Sequence, residues 1–118
     1  MRSTNTLRLH DEVSRPTMGI LQIKNLQNDR CYLAAAQDLK TAANNHRFRL
    51  DLGMHECKEL QEEYAATGLE LFTLDPLDTL PYDESDPMKT DYTAELDALL
   101  ELWKKKLTVQ GISLYHKG

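Results

Sequence analysis

The side chains able to do chemistry concentrate between Tyr32 and Cys57. His55 and Cys57 are both of metal-ligand type, but a zinc site takes four ligands and no second pair accompanies them, so no metal site is expected. Asn44, Asn45, His46, Arg47 and Arg49 form a polar and basic stretch to which Lys24 adds a cation. Lys24, Asn44, His46, Arg47 and Arg49 are candidate binding residues; a solvated helix face is the simpler reading of the stretch. His46 either contacts phosphate or serves as a hydrogen-bonded boundary histidine, the second reading weighing more. Tyr32 offers a phenol that can join proton transfer or simply pack in a strand. Ala34, Ala35 and Ala36, with Ala42 and Ala43, read either as a shallow apolar surface or as plain helix packing. There is no Gly-rich phosphate loop and no cofactor motif, so no small-molecule cofactor is expected.

The elements that must position these groups follow from periodicity. Ile20, Leu21 and Ile23 alternate with Gln22 and Lys24, Asn28-Asp29 supplies a turn, and Cys31-Tyr32-Leu33 resumes an apolar run: a β-hairpin. Asp38 caps a helix that buries Leu39, Ala43, His46 and Leu50, and Gly53 stops it. A second helix turns Leu60 and Tyr64 inward and stops at Gly68. Leu71 to Leu74 read as a short strand ended by Asp75-Pro76. Residues 75–91 hold three of the four prolines and six Asp or Glu, which reads as an acidic surface loop. Thr90 or Asp91 then caps a third helix with the stripe Leu96, Leu99, Leu100, Trp103 and Leu107, the strongest periodic signal of the chain. Lys104, Lys105 and Lys106 fall in its last turn, where cations complement the helix dipole. Gly111 ends it, and Ile112 to Tyr115 read as a short edge strand.

Composition bounds the class. The 118 residues carry 14 Lys+Arg against 19 Asp+Glu, a net charge of −5. That suits one α/β (α+β) domain over residues 18–115, with flexible tails at 1–17 and 116–118. Translation from Met1 or from Met18 stays open. Residues 1–58 hold 9 basic and 6 acidic side chains, residues 59–118 hold 5 and 13. The acidic second half repels phosphate, the opposite of a general nucleic-acid binder. Two cysteines, Cys31 and Cys57, read as reduced thiols of a cytoplasmic protein, with a bridge left open. No apolar run reaches the length of a membrane span, so no membrane partner is expected.

The ordered set Gly19-Ile20-Leu21-Gln22-Ile23-Lys24-Asn25, Tyr32-Leu33-Ala34, His46, Gly53-Met54-His55, Leu60-Gln61, Gly68 and Phe72, followed by Trp103, strongly resembles the GIY-YIG nuclease superfamily. The likeness is to the branch of phage homing endonucleases and small bacterial stand-alone homologues, and it spans about residues 18–114. It implies a three-stranded, mainly antiparallel sheet flanked by about three helices. It also implies a phosphodiesterase site: tyrosines of both tripeptides near the attacking water, an Arg on the first helix, a metal-binding Glu on the last, and a terminal Asn. On this sequence those positions carry Leu21, Tyr32, Ala42, Leu100 and Ser113, so only the tyrosine at Tyr32 is kept. Leu100 cannot bind a metal, and Glu101 beside it points about 100° away on a helix.

Two functions follow as expectations. The first is a degenerate, non-catalytic binding or regulatory module whose partner is DNA or another protein. The alternative is a residual phosphodiesterase or endonuclease acting on DNA with Mg, using Tyr32, His55 and Glu101.

Overall fold

A computed structural model describes residues 15–115. Strands β1 (Met18–Asn25), β2 (Cys31–Ala36) and β3 (Phe72–Leu80) make one antiparallel sheet in the order β2-β1-β3. Helices α1 (Leu39–Asp51), α2 (Lys58–Thr67) and α3 (Thr93–Val109) complete the α+β architecture. Among the described residues no helix is long and apolar enough to cross a membrane.

Strand alternation assigns the two faces of the sheet. Leu21, Ile23, Tyr32 and Phe72 point to one face and pack with Leu39 and Leu50 of α1 and Leu60 and Tyr64 of α2. Ile20, Cys31 and Leu33 point to the other, where the expected α3 stripe of Leu99, Leu100, Trp103 and Leu107 covers them. Leu96 extends that stripe onto Met18 and Tyr92. Gly19 lies where the β3 backbone approaches β1 closely: a Cβ there would stand 2.0 Å from the Asp78 carbonyl oxygen.

The caps match the sequence at α1, where the Asp38 carboxylate accepts the Thr41 N–H at 3.1 Å, and where Gly53, with φ +74°, follows the last turn. At α3 the N-cap is Tyr92. Asp91 stands one residue earlier and accepts the Thr93 N–H at 3.0 Å.

β3 departs from expectation. The strand does not end at Asp75-Pro76 but runs to Leu80, so the loop begins at Pro81 rather than at residue 75. Two facts make this possible. β3 is an edge strand, where a proline without an N–H costs no ladder bond if its nitrogen faces outward. A bulge also falls there: Leu21 pairs with Pro76 and Ile20 with Asp78, leaving Leu77 as the extra residue. The inserted residue reverses the facing of the strand, so Leu74 packs on the α1–α2 side and Leu77 and Leu80 on the α3 side.

The loop that follows is anchored. Gln37 donates to the Thr90 carbonyl at 2.8 Å and accepts the Tyr92 N–H at 2.9 Å. Of the tail expected over residues 1–17, Arg15 to Thr17 are held: Tyr82 donates to the Pro16 carbonyl at 2.5 Å, and Arg15 lies 3.8 Å over the Tyr82 ring. Residues 1–14 and 116–118, the rest of the expected tails, lie outside the described residues. The final edge strand reduces to one parallel bridge, Cys31 with Leu114.

Candidate functional site

A cleft of about 450 Å³ opens along the outer edge of β2, lined by Tyr32, Leu33, Ala34 and Ala35. Its walls are α1 on one side, with His46 and Arg49, and α3 on the other, with Asp97, Leu100 and Lys104. Glu56, from the turn between α1 and α2, closes the α1 side. These groups converge for a local reason. β2 is an edge strand, so its outer margin faces the gap left between helices packed on opposite faces of the sheet, and Leu114 and Tyr115, at and after the chain's bridge to Cys31, also line the cleft.

The turn that carries His55 and Glu56 is fixed by Gln61, which accepts the His55 N–H at 2.9 Å and donates to the Leu50 carbonyl at 3.0 Å. Glu56 is then a relay point. Its Oε2 accepts the Tyr32 hydroxyl at 3.0 Å, and its Oε1 accepts Arg49 Nη1 at 3.1 Å. Burial and the adjacent Glu56 charge push the Tyr32 phenol well above its ordinary value. The phenol is thus held protonated as a donor. His46 Nδ1 lies 2.8 Å from His55 Nε2, and both rings meet the Tyr32 ring edge-on. Burial, then the Arg49 charge, holds His46 below the usual histidine range, against the opposing pull of Glu56.

Of the residues singled out from the sequence, the cleft takes Tyr32, His46, Arg49 and Leu100, with His55 behind His46. Ala34 and Ala35 form its floor; Ala36, Ala42 and Ala43 pack instead against the core on the α1 side. Leu21 is buried in that core and also borders a separate apolar groove with Leu39 and Leu74. Ser113 is outside the cleft, its carbonyl accepting the Cys31 N–H at 3.1 Å. Lys24 pairs with Asp29 on the hairpin at 3.8 Å, while Asn44 and Arg47 are exposed and do not line the cleft. Glu101 turns away from Leu100, as its helical angle requires, and lies 3.6 Å from Lys104. Cys57 is buried, and no bridge joins it to Cys31.

Three charged residues of the cleft are not among the sequence candidates. Glu56 sits in a turn, where no periodicity marks it. Asp97 lies within the acidic run, and Lys104 within the lysine cluster that reads as helix termination. The signal for the last two was present: Asp97, Leu100 and Lys104 recur at three and four residues, so a helix that turns Leu100 toward the sheet brings both charges to the cleft rim.

A divalent metal, which the resemblance implies, does not fit this donor set. Leu100 has no ligand atom, and among the described residues no group of three His, Cys, Asp or Glu side chains is arranged to hold an ion.

No protein-family model matches the chain, and no curated protein matches it by sequence. Solved structures do. The catalytic domain of the intron endonuclease I-TevI, in a mutant form, superposes with a TM-score of 0.66 at 25% identity, covering 85% of this chain and 92% of that one. A second structure of the catalytic domain of homing endonuclease I-TevI gives 0.63 at 26% identity, covering 81% and 94%. The three-stranded sheet, the flanking helices and these neighbours together identify the fold as GIY-YIG nuclease-like.

Proposed function

We propose that this chain is a non-catalytic binding module whose cleft holds a partner without cleaving it. The observation that carries this reading is the identity of the α3 wall. Leu100 occupies the position where the resemblance implies a metal-binding carboxylate, and Glu101 is turned out to Lys104. The other lost groups follow the same course, since Leu21 and Ala42 serve the core. What remains is tied together: Arg49, which shares Glu56 with the Tyr32 phenol, is already paired with that carboxylate. Removing a cation that stabilises a transition state commonly costs a factor of about a hundred or more in rate.

The cleft lining is charge-balanced, with Arg49 and Lys104 against Glu56 and Asp97. DNA is the first partner to test, and this balance weighs against it relative to a polypeptide, because phosphate binding relies on a surplus of cations. The test is plasmid nicking with Mg²⁺, alongside fluorescence anisotropy of short duplex and branched DNA at two salt concentrations. No nicking is expected. Nicking that disappears in Tyr32→Phe would refute the reading.

Asp97 favours a second reading, a residual phosphodiesterase, because it brings a carboxylate to the cleft wall one helical turn before Leu100. In that case nicking would fall in Asp97→Asn and persist in Glu101→Ala.

A further inference from the structure

α3 packs on the sheet with one side only. Leu96, Leu99, Leu100, Trp103 and Leu107 turn inward. The opposite side carries Ala94, Ala98, Leu102, Lys105 and Val109, all exposed and recurring at four, four, three and four residues. That is the spacing by which one helix packs along another, and its two large apolar members, Leu102 and Val109, are 47% and 87% exposed.

The charges flanking this stripe are divided along the helix. Glu95, Asp97 and Glu101 come first and Lys104, Lys105 and Lys106 last, so α3 is neutral within a chain of net charge −5. The helix dipole favours Glu95 in the first turn and Lys106 in the last, but its influence fades within a turn of either end and does not explain Asp97, Glu101 or Lys104. Glu101 and Lys104 lie 3.6 Å apart with side chains 65% and 43% exposed, open to further partners. A helix with an acidic half, a basic half and an apolar stripe through both is complementary to itself when reversed. A twofold axis beside Leu102 sets Ala94 against the copy's Val109 and Ala98 against the copy's Lys105. It also brings Glu95 to Lys106 on one flank and Glu101 to Lys104 on the other.

We propose that the outer face of α3 is where two copies of this chain associate, helix against helix and antiparallel, with Leu102 at the twofold axis. This association is independent of what the cleft holds. Ala94 and Ala98 let the helices approach closely, and the Lys105 stem lies over the copy's Ala98 while its ammonium reaches toward the copy's acidic half. A parallel pairing would set like charges together, so the charge division fixes the direction as well as the partner. The contact joins the same patch of each copy and therefore closes at two. Asp97 and Lys104 also line the cleft, so the interface borders it.

Sedimentation velocity of the full chain, from about 10 µM to about 1 mM, tests this. A single helix pair makes a small interface, so the dimer is expected above about 100 µM, and it should weaken several-fold as salt is raised from about 0.01 M to about 0.5 M. Leu102→Glu sets two carboxylates at the axis and is expected to weaken association about tenfold or more, with the thermal melt close to the parent's because the residue is at the surface. With oxidised glutathione, Leu102→Cys is expected to link to its own copy. Ala94→Cys, about 22 Å from its counterpart in the reversed pairing, is not. The native thiols are buried and do not compete. A monomer at about 1 mM, the result if residues 1–14 cover the stripe instead, overturns the proposal. So does a dimer that Leu102→Glu leaves intact, and so does equal linking of the two cysteine variants.

Discussion

His46 and His55 are joined ring to ring, His55 Nε2 lying 2.8 Å from His46 Nδ1, while His55 Nδ1 accepts the Cys57 N–H at 3.0 Å. A ring nitrogen that accepts a backbone N–H carries no proton. With both rings neutral, the His55 proton is therefore on Nε2 and is donated to His46 Nδ1, which leaves the His46 proton on its own Nε2. Nitrogen-15 shifts near neutral pH should report the Nε2–H tautomer for both rings. An Nδ1–H signal from His55 would contradict the assignment.

The same pair makes stability depend on pH. His46 is held below its ordinary value, close to 6.5, by burial and Arg49, so the folded state prefers the neutral ring. The groups facing it are Tyr32, His55, Arg49 and Glu56. Above about pH 6.5 this contribution is complete; it declines as pH falls from there toward the lower folded-state pKa and then levels. Denaturant unfolding across that range should show the decline in the native protein and a shallower one in His46→Gln.

Glu63 ties the hairpin turn to α2 and to Tyr115. It accepts from Asn25 at 2.9 Å, Asn28 at 3.1 Å, Arg30 at 3.0 Å and the Tyr115 hydroxyl, and Arg30 lies 4.1 Å over the Tyr115 ring. Glu63→Ala leaves the buried Asn25 amide without this acceptor and should cost about 2 kcal/mol, with Glu63→Gln recovering part of it. Burial works against the Glu63 charge, but the hydrogen bonds from Tyr115, Asn28 and Asn25 and the Arg30 charge outweigh it and keep the carboxyl below its usual range. Its stabilisation is present above about pH 4.3 and is lost as pH falls through the lower folded-state value.

Gly19→Ala should destabilise by about 1–3 kcal/mol, since the new methyl would meet the Asp78 carbonyl at 2.0 Å and the Thr79 Cα at 2.8 Å, both backbone atoms of the paired strand. A thermal melt indistinguishable from the parent would show that β1 and β3 lie farther apart.

Both thiols are sheltered, with Cys31 1% and Cys57 0% exposed, and burial pushes each pKa up. A thiol reagent should therefore modify neither residue quickly in buffer and both in denaturant. Rapid labelling of one thiol in buffer would point to local opening around that residue.

Much of the fold was legible because its signals are local. The Asp38 cap, the Gly53 stop and the Leu96-to-Leu107 stripe each depend on residues within a turn or two of one another. The continuation of β3 through Pro76 was not, since a proline is tolerated there only because the strand is an edge and a bulge sits opposite Ile20 and Leu21, facts of pairing far along the chain. The site divides the same way. His46 and Arg49 stood out as a basic helical stretch, but Glu56, Asp97 and Lys104 join them through the packing of a turn and a helix that no short window contains.

The strand order also bears on how the chain acquires its structure. β1 is central, and its first partner, β2, is reached through a turn of a few residues, a closure that takes microseconds. Its second partner lies roughly fifty residues further on, so the β1–β3 ladder carries the larger loop-closure entropy. Refolding should therefore wait on the arrival of β3, and the bulge that sets its register becomes a determinant of folding speed as well as of shape.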